Sequence, residues 1–305
     1  MWSYLEKIVN GELTGTISPD DARALLQGQI DNMANNWAME YGNFPIGCVD
    51  ISGKYFEFAD FRDTTGMTSE QMLGATFYGC QMPAVAFNGT EVFPSAWGEG
   101  GTDLSLCTGI TPEQILQVAN DNTGGYWYCP TFPVTEFTGN EDFSQIHRQL
   151  DLSKAIGITP TQVLQALNTT EGANSTFPSV HFTGAEDFSN LYNNPYADLS
   201  KHTGITSAQY IAALKGWNGS SIETITLPPI TFTGTEDFSQ LQNTPLTLAG
   251  NISKFTGITR EQISALNPQS TFRNVTISQA QYDAWSDILG ADYDYDIGYR
   301  YHIVP

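Results

Sequence analysis

Two patterns of apolar and polar residues alternate along most of the chain. In the first, a Thr stands three residues before a Gln, and apolar residues such as Ile115, Leu116 and Val118 follow at helical spacing. A hydroxyl cap with Gln at the third helical position is the capping-box signature of a helix start. The pattern predicts five short helices, which begin directly after Thr68, Thr111, Thr159, Thr206 and Thr259.

The second pattern is typical of extended chain. Apolar and polar residues alternate in 179–184 and 227–234, as expected of a strand with one buried face. Two Phe residues then recur six positions apart, a spacing that puts both rings on one face if the segment is a single strand. These pairs are Phe137 and Phe143, Phe182 and Phe188, and Phe232 and Phe238.

The two patterns recur in phase, with a period of about 48 residues. The extended segment carries the motif F-x-G-x-E-x-F in four copies, and the helix motif follows Gly66, Gly109, Gly157, Gly204 and Gly257. A unit of this size cannot close a core alone, so units must stack. We therefore expect a mainly β fold with short helices, built as a β-helix-like repeat solenoid of about five units.

The two ends of the chain lack the full repeat and are expected to cap it. Residues 1–45 would form a helical N-terminal cap, and 46–271 would be the solenoid. Residues 272–305 would form a C-terminal cap that begins with a helix over 279–289 and ends in an acidic, Tyr-rich tail. The apolar stripe of the N-terminal cap would consist of Ala22, Leu25, Leu26 and Ile30.

Composition narrows the function classes. The 305 residues include 12 Lys and Arg against 33 Asp and Glu, a formal net charge of −21. Direct nucleic-acid binding and docking on an anionic membrane both need clustered basic residues, so both are excluded. The content of 40% hydrophobic and 12% aromatic residues indicates a folded chain. With neither a spanning apolar run nor a signal peptide, a soluble protein of a virion or the cytoplasm is expected.

Segments 56–63 and 151–155 resemble degenerate pentapeptide repeats of the form A-(D/N)-L-x-x. In that family, such runs are commonly followed by a segment like TG-(L/I)-T-P-E-Q, which is close to the sequence of 108–114 here. The resemblance implies a right-handed quadrilateral β-helix with Leu or Phe side chains at its centre. Because the recognisable pentapeptides in this chain are few, the solenoid would consist of short coils interrupted by helices.

No catalytic constellation is evident, and no cofactor is expected. Glu–Asp pairs recur once per unit and would form an acidic ladder if the units stack in register. Calcium could bind there, since it prefers oxygen ligands; alternatively, each Asp caps a turn and each Glu is solvated. The ladder consists of Glu141, Asp142, Glu186, Asp187, Glu236 and Asp237.

The C-terminal tail is a candidate surface for binding a protein partner. Alternating Tyr and Asp residues are favoured at interfaces when exposed, although a solvated acidic strand is the simpler interpretation. The tail residues are Asp292, Tyr293, Asp294, Tyr295, Asp296, Tyr299 and Tyr301. His202 and Cys107 occupy one repeat position that also accepts Ala155 and Phe255, so both are expected to pack in the core.

Three functions are consistent with these features. The first is a non-enzymatic scaffold or docking protein, a structural component of a larger assembly such as a virion, with self-association or another protein as its partner. The second is an acidic DNA mimic that inhibits a nucleic-acid enzyme, as some pentapeptide-repeat proteins do. The third is the substrate-binding β-helix of a bacterial effector, for which residues 272–305 are too few to supply a catalytic domain.

Overall fold

The computed structural model describes most of the chain, which divides into two compact units. One unit consists of Met1–Glu141, Gln145–Gly157 and Ser175–Phe177, and the other of Asp142–Ser144, Ile158–Asn174 and Pro178–Pro305. The described residues are 1–34, 36–94, 101–121, 130–169, 174–191, 197–215, 226–241, 252–266, 275–294, 298–299 and 301–305.

Short helices are the main regular elements. They are α1 (Trp2–Val9), α2 (Pro19–Met33), α3 (Ser69–Gly74), α4 (Pro112–Ala119), α5 (Pro160–Leu167), α6 (Ser207–Lys215), α7 (Arg260–Ala265) and α8 (Gln279–Leu289). Two 3₁₀ helices lie at Ile46–Cys48 and Phe238–Leu241. The five helix starts predicted from the capping boxes are confirmed: in each, the Thr hydroxyl accepts from the Gln amide, and the Gln side chain accepts from the Thr amide.

Strands are few and short. They are β1 (Tyr55–Glu57), β2 (Thr76–Tyr78), β3 (Val275–Ser278), β4 (Tyr293–Asp294), β5 (Gly298–Tyr299) and β6 (Tyr301–Val304). β1 pairs with β2 and β3 with β6 in parallel, while β4 and β5 are antiparallel. With 32% helix, 13% strand and no closed or solenoid sheet among the described residues, the expected mainly β solenoid is wrong, and so is the quadrilateral β-helix.

The extended segments fail to form a sheet because they pair over one residue at a time. At the His181↔Thr203 bridge, Phe182 N donates to Thr203 O (2.8 Å), and Thr203 N donates to Val180 O (3.1 Å). Both segments then turn away at glycines with positive φ, Gly184 and Gly204. Similar single parallel bridges join other repeats, among them Ala86↔Thr108, Glu136↔Ile156 and Thr231↔Thr256. The alternation of apolar and polar residues thus indicated a buried face correctly, but the strand expected from it does not form.

The paired Phe rings do meet in the core, as expected, although a turn rather than a strand brings them together. Phe182 and Phe188 lie 5.2 Å apart between ring centroids, and Phe232 and Phe238 lie 5.5 Å apart. All four side chains are buried. Burial of such rings is a large stabilising contribution to each repeat.

The terminal helices agree with expectation except at one position. Ala22, Leu26 and Ile30 of α2 are buried, whereas Leu25 is 57% exposed and lies outside the apolar stripe. α8 has the predicted bounds and begins with a capping box between Ser278 and Gln281. Within the described part of the chain, no helix has the length and apolar character needed to cross a membrane.

Candidate docking surface

The glutamates of the acidic ladder hold the turns of the repeat. Glu186 accepts from the backbone amides of Thr183 (3.0 Å) and Gly184 (3.1 Å), and Glu236 accepts from those of Thr233 (2.8 Å) and Gly234 (3.1 Å). Glu141 makes the same pair of bonds in its own turn. These glutamates are therefore turn caps, not the solvated side chains that the simpler interpretation expected.

The aspartates of the ladder also cap turns, as that interpretation expected. Asp142, Asp187 and Asp237 each accept from the amide of the Ser two residues later, at 2.8–2.9 Å. Among the described residues, no group of three or more His, Cys, Asp and Glu side chains is arranged to hold a metal ion. Calcium binding at the ladder stays a prediction.

At three helix starts, a buried Gln joins the helix to the glutamate of a preceding turn. The side-chain amide of Gln209 donates to Glu186 O (3.0 Å) and Oε2 (3.1 Å), and that of Gln262 contacts Glu236 in the same way. Gln114 repeats the arrangement with Glu91. The capping box thus connects one motif of the repeat to the other.

These contacts change the acidity of the glutamates. Partial burial raises the pKa of Glu236, but hydrogen bonds from Ser207 and Thr233 outweigh it and lower the pKa to about 2. Because the folded-state pKa lies below the ordinary value, this carboxylate stabilises the fold at neutral pH. That contribution is lost as the pH falls from about 4.5 to about 2.

The candidate tail surface is only partly described. Tyr301 is 5% exposed, and its hydroxyl donates to Gly290 O at 3.0 Å, so this residue belongs to the packing of the C-terminal cap. Asp292 is exposed. Tyr293 and Asp294 lie in β4 and Tyr299 in β5, while Tyr295 and Asp296 lie outside the described residues.

The shared repeat position is a core position. His202 is 3% exposed, its Nδ1 accepts from Val180 N (3.1 Å), and its ring lies edge-on to Phe182. Burial lowers the pKa of His202. Cys107 is buried and free, and burial raises the pKa of its thiol to about 11. Neither residue has the environment of a nucleophile or a ligand.

A cluster of aromatic side chains, three exposed and one half-buried, lies on residues that the repeat does not explain. We call it the aromatic patch, and it consists of Trp37, Tyr55, Phe58 and Tyr78 around Glu57. Trp37 is 69% exposed, Phe58 45% and Tyr55 39%. The Phe58 ring meets Trp37 at 5.9 Å and Tyr78 at 5.4 Å between centroids, with interplanar angles of 71° and 89°.

Backbone register places Trp37, Tyr55 and Tyr78 on the same face as Glu57. Trp37 bridges Glu57 in parallel, and Glu57 is the partner of Tyr78 in the pairing of β1 with β2. Residues that are partners in adjacent strands project to the same side, and Tyr55 shares the face of Glu57 because it lies two positions earlier. Phe56, on the opposite face, is buried against Phe77.

The residues that directly follow Trp37, Glu57 and Tyr78 all adopt a left-handed backbone conformation. The φ angles are +55° at Ala38, +52° at Phe58 and +63° at Gly79. Only the last of these is a glycine, the residue that takes this conformation without strain. For a bulky side chain such as Phe58, the conformation costs about 1–2 kcal/mol. Phe58 nevertheless keeps its amide bonded to Tyr78 O at 2.8 Å.

Three carboxylates, those of Glu40, Glu57 and Asp60, lie on the bridged segments that carry the patch. Within the described residues, the Glu57 side chain makes no hydrogen bond or ion pair, and Glu40 beyond it is exposed. The neighbouring cations are already paired, Lys54 with Asp31 (2.5 Å) and Arg62 with Asp60 (2.6 Å). The hydrogen bonds from Arg62 lower the pKa of Asp60.

Sequence reasoning missed the aromatic patch because it followed the repeat. The signal was the run 55–58, in which three of four residues are aromatic. In an extended segment, such a run must place some of its rings outward. Comparison of the chain with protein-family models, curated proteins and solved structures finds no match.

Proposed function

We propose that this chain is a non-enzymatic docking protein that joins a larger assembly by binding a protein partner at the aromatic patch. One observation carries the proposal: at the surface, the Phe58 ring contacts both Trp37 and Tyr78, on a backbone that is strained at Phe58. Trp and Tyr are enriched where proteins bind tightly to each other.

Energetics supports this interpretation. Exposed aromatic rings forgo the stabilisation that burial would give, about 25 cal/mol per Å² of apolar surface. A strained non-glycine residue adds a further cost, and such strain clusters at functional positions. Both costs are offset if a partner covers the rings. The repeated turns complement this role, because their carboxylates and Gln side chains are engaged in holding the scaffold together.

Site-specific photo-crosslinking in the native host tests the proposal. A photoreactive phenylalanine analogue replaces Trp37 in one variant and Val92, which is 72% exposed, in the matched control. We expect a discrete crosslinked product from position 37, either with another protein or with a second copy of the chain, and none from position 92. Equal products from both positions, or none from position 37, would contradict the proposal.

The other hypotheses from the sequence stay predictions. A DNA mimic and an effector module would each have to use surfaces for which the described contacts give no particular support. The test above separates them from docking at the patch, because neither requires Trp37.

A further inference from the structure

We infer that the aromatic patch binds the guanidinium group of an arginine on the partner protein. This inference rests on the proposed function and adds the chemistry of the partner. It is carried by the position of Glu57, whose carboxylate stands between Trp37 and Tyr78 in the register and has no hydrogen-bond partner among the described residues.

The aromatic rings suit a cation. The faces of Trp, Tyr and Phe rings attract a positive charge held within ~6 Å of the ring centroid. Because adjacent rings meet at 71° and 89°, the faces point in different directions around the shared Phe58. A planar cation can therefore stack on one ring while its edge reaches a neighbouring group.

The carboxylate of Glu57 supplies that neighbouring group. A carboxylate accepts two parallel N–H bonds from one guanidinium, and an arginine can make them while it stacks on an aromatic face. Lysine carries a compact, strongly hydrated charge and lacks the planar fork. The combination of ring faces with one unpaired carboxylate thus favours arginine over lysine.

Charge around the patch favours the same partner. The chain carries a net charge of −21, which attracts a basic segment and raises its association rate. Lys54 and Arg62 do not compete for Glu57, since each already pairs with an aspartate. Glu40 extends the acidic surface along the chain from Trp37.

A direct binding measurement tests the inference. The probe is a fluorescent seven-residue peptide of glycine with two arginines, and the comparison peptides carry citrulline or lysine at those positions. Citrulline keeps the shape of arginine without its charge. We expect the full chain to bind the arginine peptide at least about tenfold more tightly than either comparison peptide.

Protein variants separate the patch from the general charge of the chain. We expect Trp37→Ala and Glu57→Gln each to weaken arginine-peptide binding about tenfold. Glu113→Gln removes an exposed carboxylate from α4 and should leave binding unchanged. Circular dichroism checks that the variants fold.

Three results would overturn the inference. They are no binding of the arginine peptide, equal binding of the lysine peptide, and an equal loss of affinity in Glu57→Gln and Glu113→Gln. The last would show attraction to the overall charge alone. The proposed function survives any of these if the crosslink from position 37 forms, and it fails separately if that crosslink is absent.

Discussion

The repeated turns and the aromatic patch treat the same chemical groups in opposite ways. In the turns, left-handed positions such as Gly184 are glycines, the aromatic rings are buried, and each glutamate accepts backbone hydrogen bonds. In the patch, Phe58 occupies a left-handed position, three of the four rings are exposed, and Glu57 holds no turn. Repetition therefore marks what the fold requires, and the departure from it marks the best candidate for function.

The largest effect is expected when a glycine of the repeated turns is replaced. Gly204 has a φ of +77°, and a Cβ there would overlap the carbonyl oxygen of Phe182. We expect Gly204→Ala to lower the free energy of unfolding by about 2–5 kcal/mol, since left-handed strain and overpacking add. Chemical denaturation of the variant measures the loss.

Gly42 provides the control for that substitution. Its φ is +50°, but a Cβ would meet nothing within 4 Å. Gly42→Ala should therefore cost only the strain, about 1–2 kcal/mol. If Gly204→Ala cost no more than Gly42→Ala, the close approach between repeats would not be a requirement of the fold.

Disrupting the hydrogen bonds between Gln114 and Glu91 should lower the free energy of unfolding by a smaller amount, and that amount should depend on pH. Gln114→Glu replaces an amide donor by a carboxylate facing Glu91, so we expect a loss of about 2–3 kcal/mol at neutral pH. The facing carboxylates raise the pKa of one of the pair above the ordinary 4.5, so the loss should shrink as the pH falls towards about 4.5 and the two groups come to share a proton. Unfolding curves at several pH values measure both effects.

The neighbouring Glu113 gives a matched control on the same helix. It is exposed in the first turn of α4, so Glu113→Gln should lower the free energy of unfolding by no more than about 1 kcal/mol at neutral pH, through the lost interaction with the helix dipole. A pH-independent loss in Gln114→Glu would mean that the buried amide acts only through the shape of the capping box and not through its contact with Glu91.

The sequence predicted the helices well because their signals are local. A Thr and a Gln three residues apart specify a helix start by their own hydrogen bonds, as at Thr111 and Gln114. The fold class failed because alternation reports burial but not hydrogen bonding. Whether 179–184 forms a strand depends on how many consecutive residues its partner offers, and Gly204 ends that pairing after one bridge.

The candidate site was harder to predict than the fold. Glu186 and its equivalents drew attention because they recur, and recurrence proved to reflect turn capping. The patch depends on three segments that meet only through the backbone register of Trp37, Glu57 and Tyr78. Nothing in the local sequence reveals that register. The left-handed conformation of Phe58 likewise goes with its position directly after the bridged residue Glu57, and not with its residue type.

The smallest expected effect concerns the strain at Phe58. It tests directly whether the aromatic patch, unlike the repeated turns, contains a strained residue. Phe58→Ala and Phe58→Gly both remove the ring, but only glycine relieves the positive φ. We expect Phe58→Gly to be more stable than Phe58→Ala by about 1 kcal/mol.

At Val92, which is exposed and has no positive φ, the order should reverse, with alanine the more stable replacement. Thermal unfolding of the four variants checks both signs. The same order at both positions would mean that Phe58 stores no strain. Opposite orders would mean that this exposed ring is kept at a measurable cost, which the fold alone does not require and which binding of a partner explains.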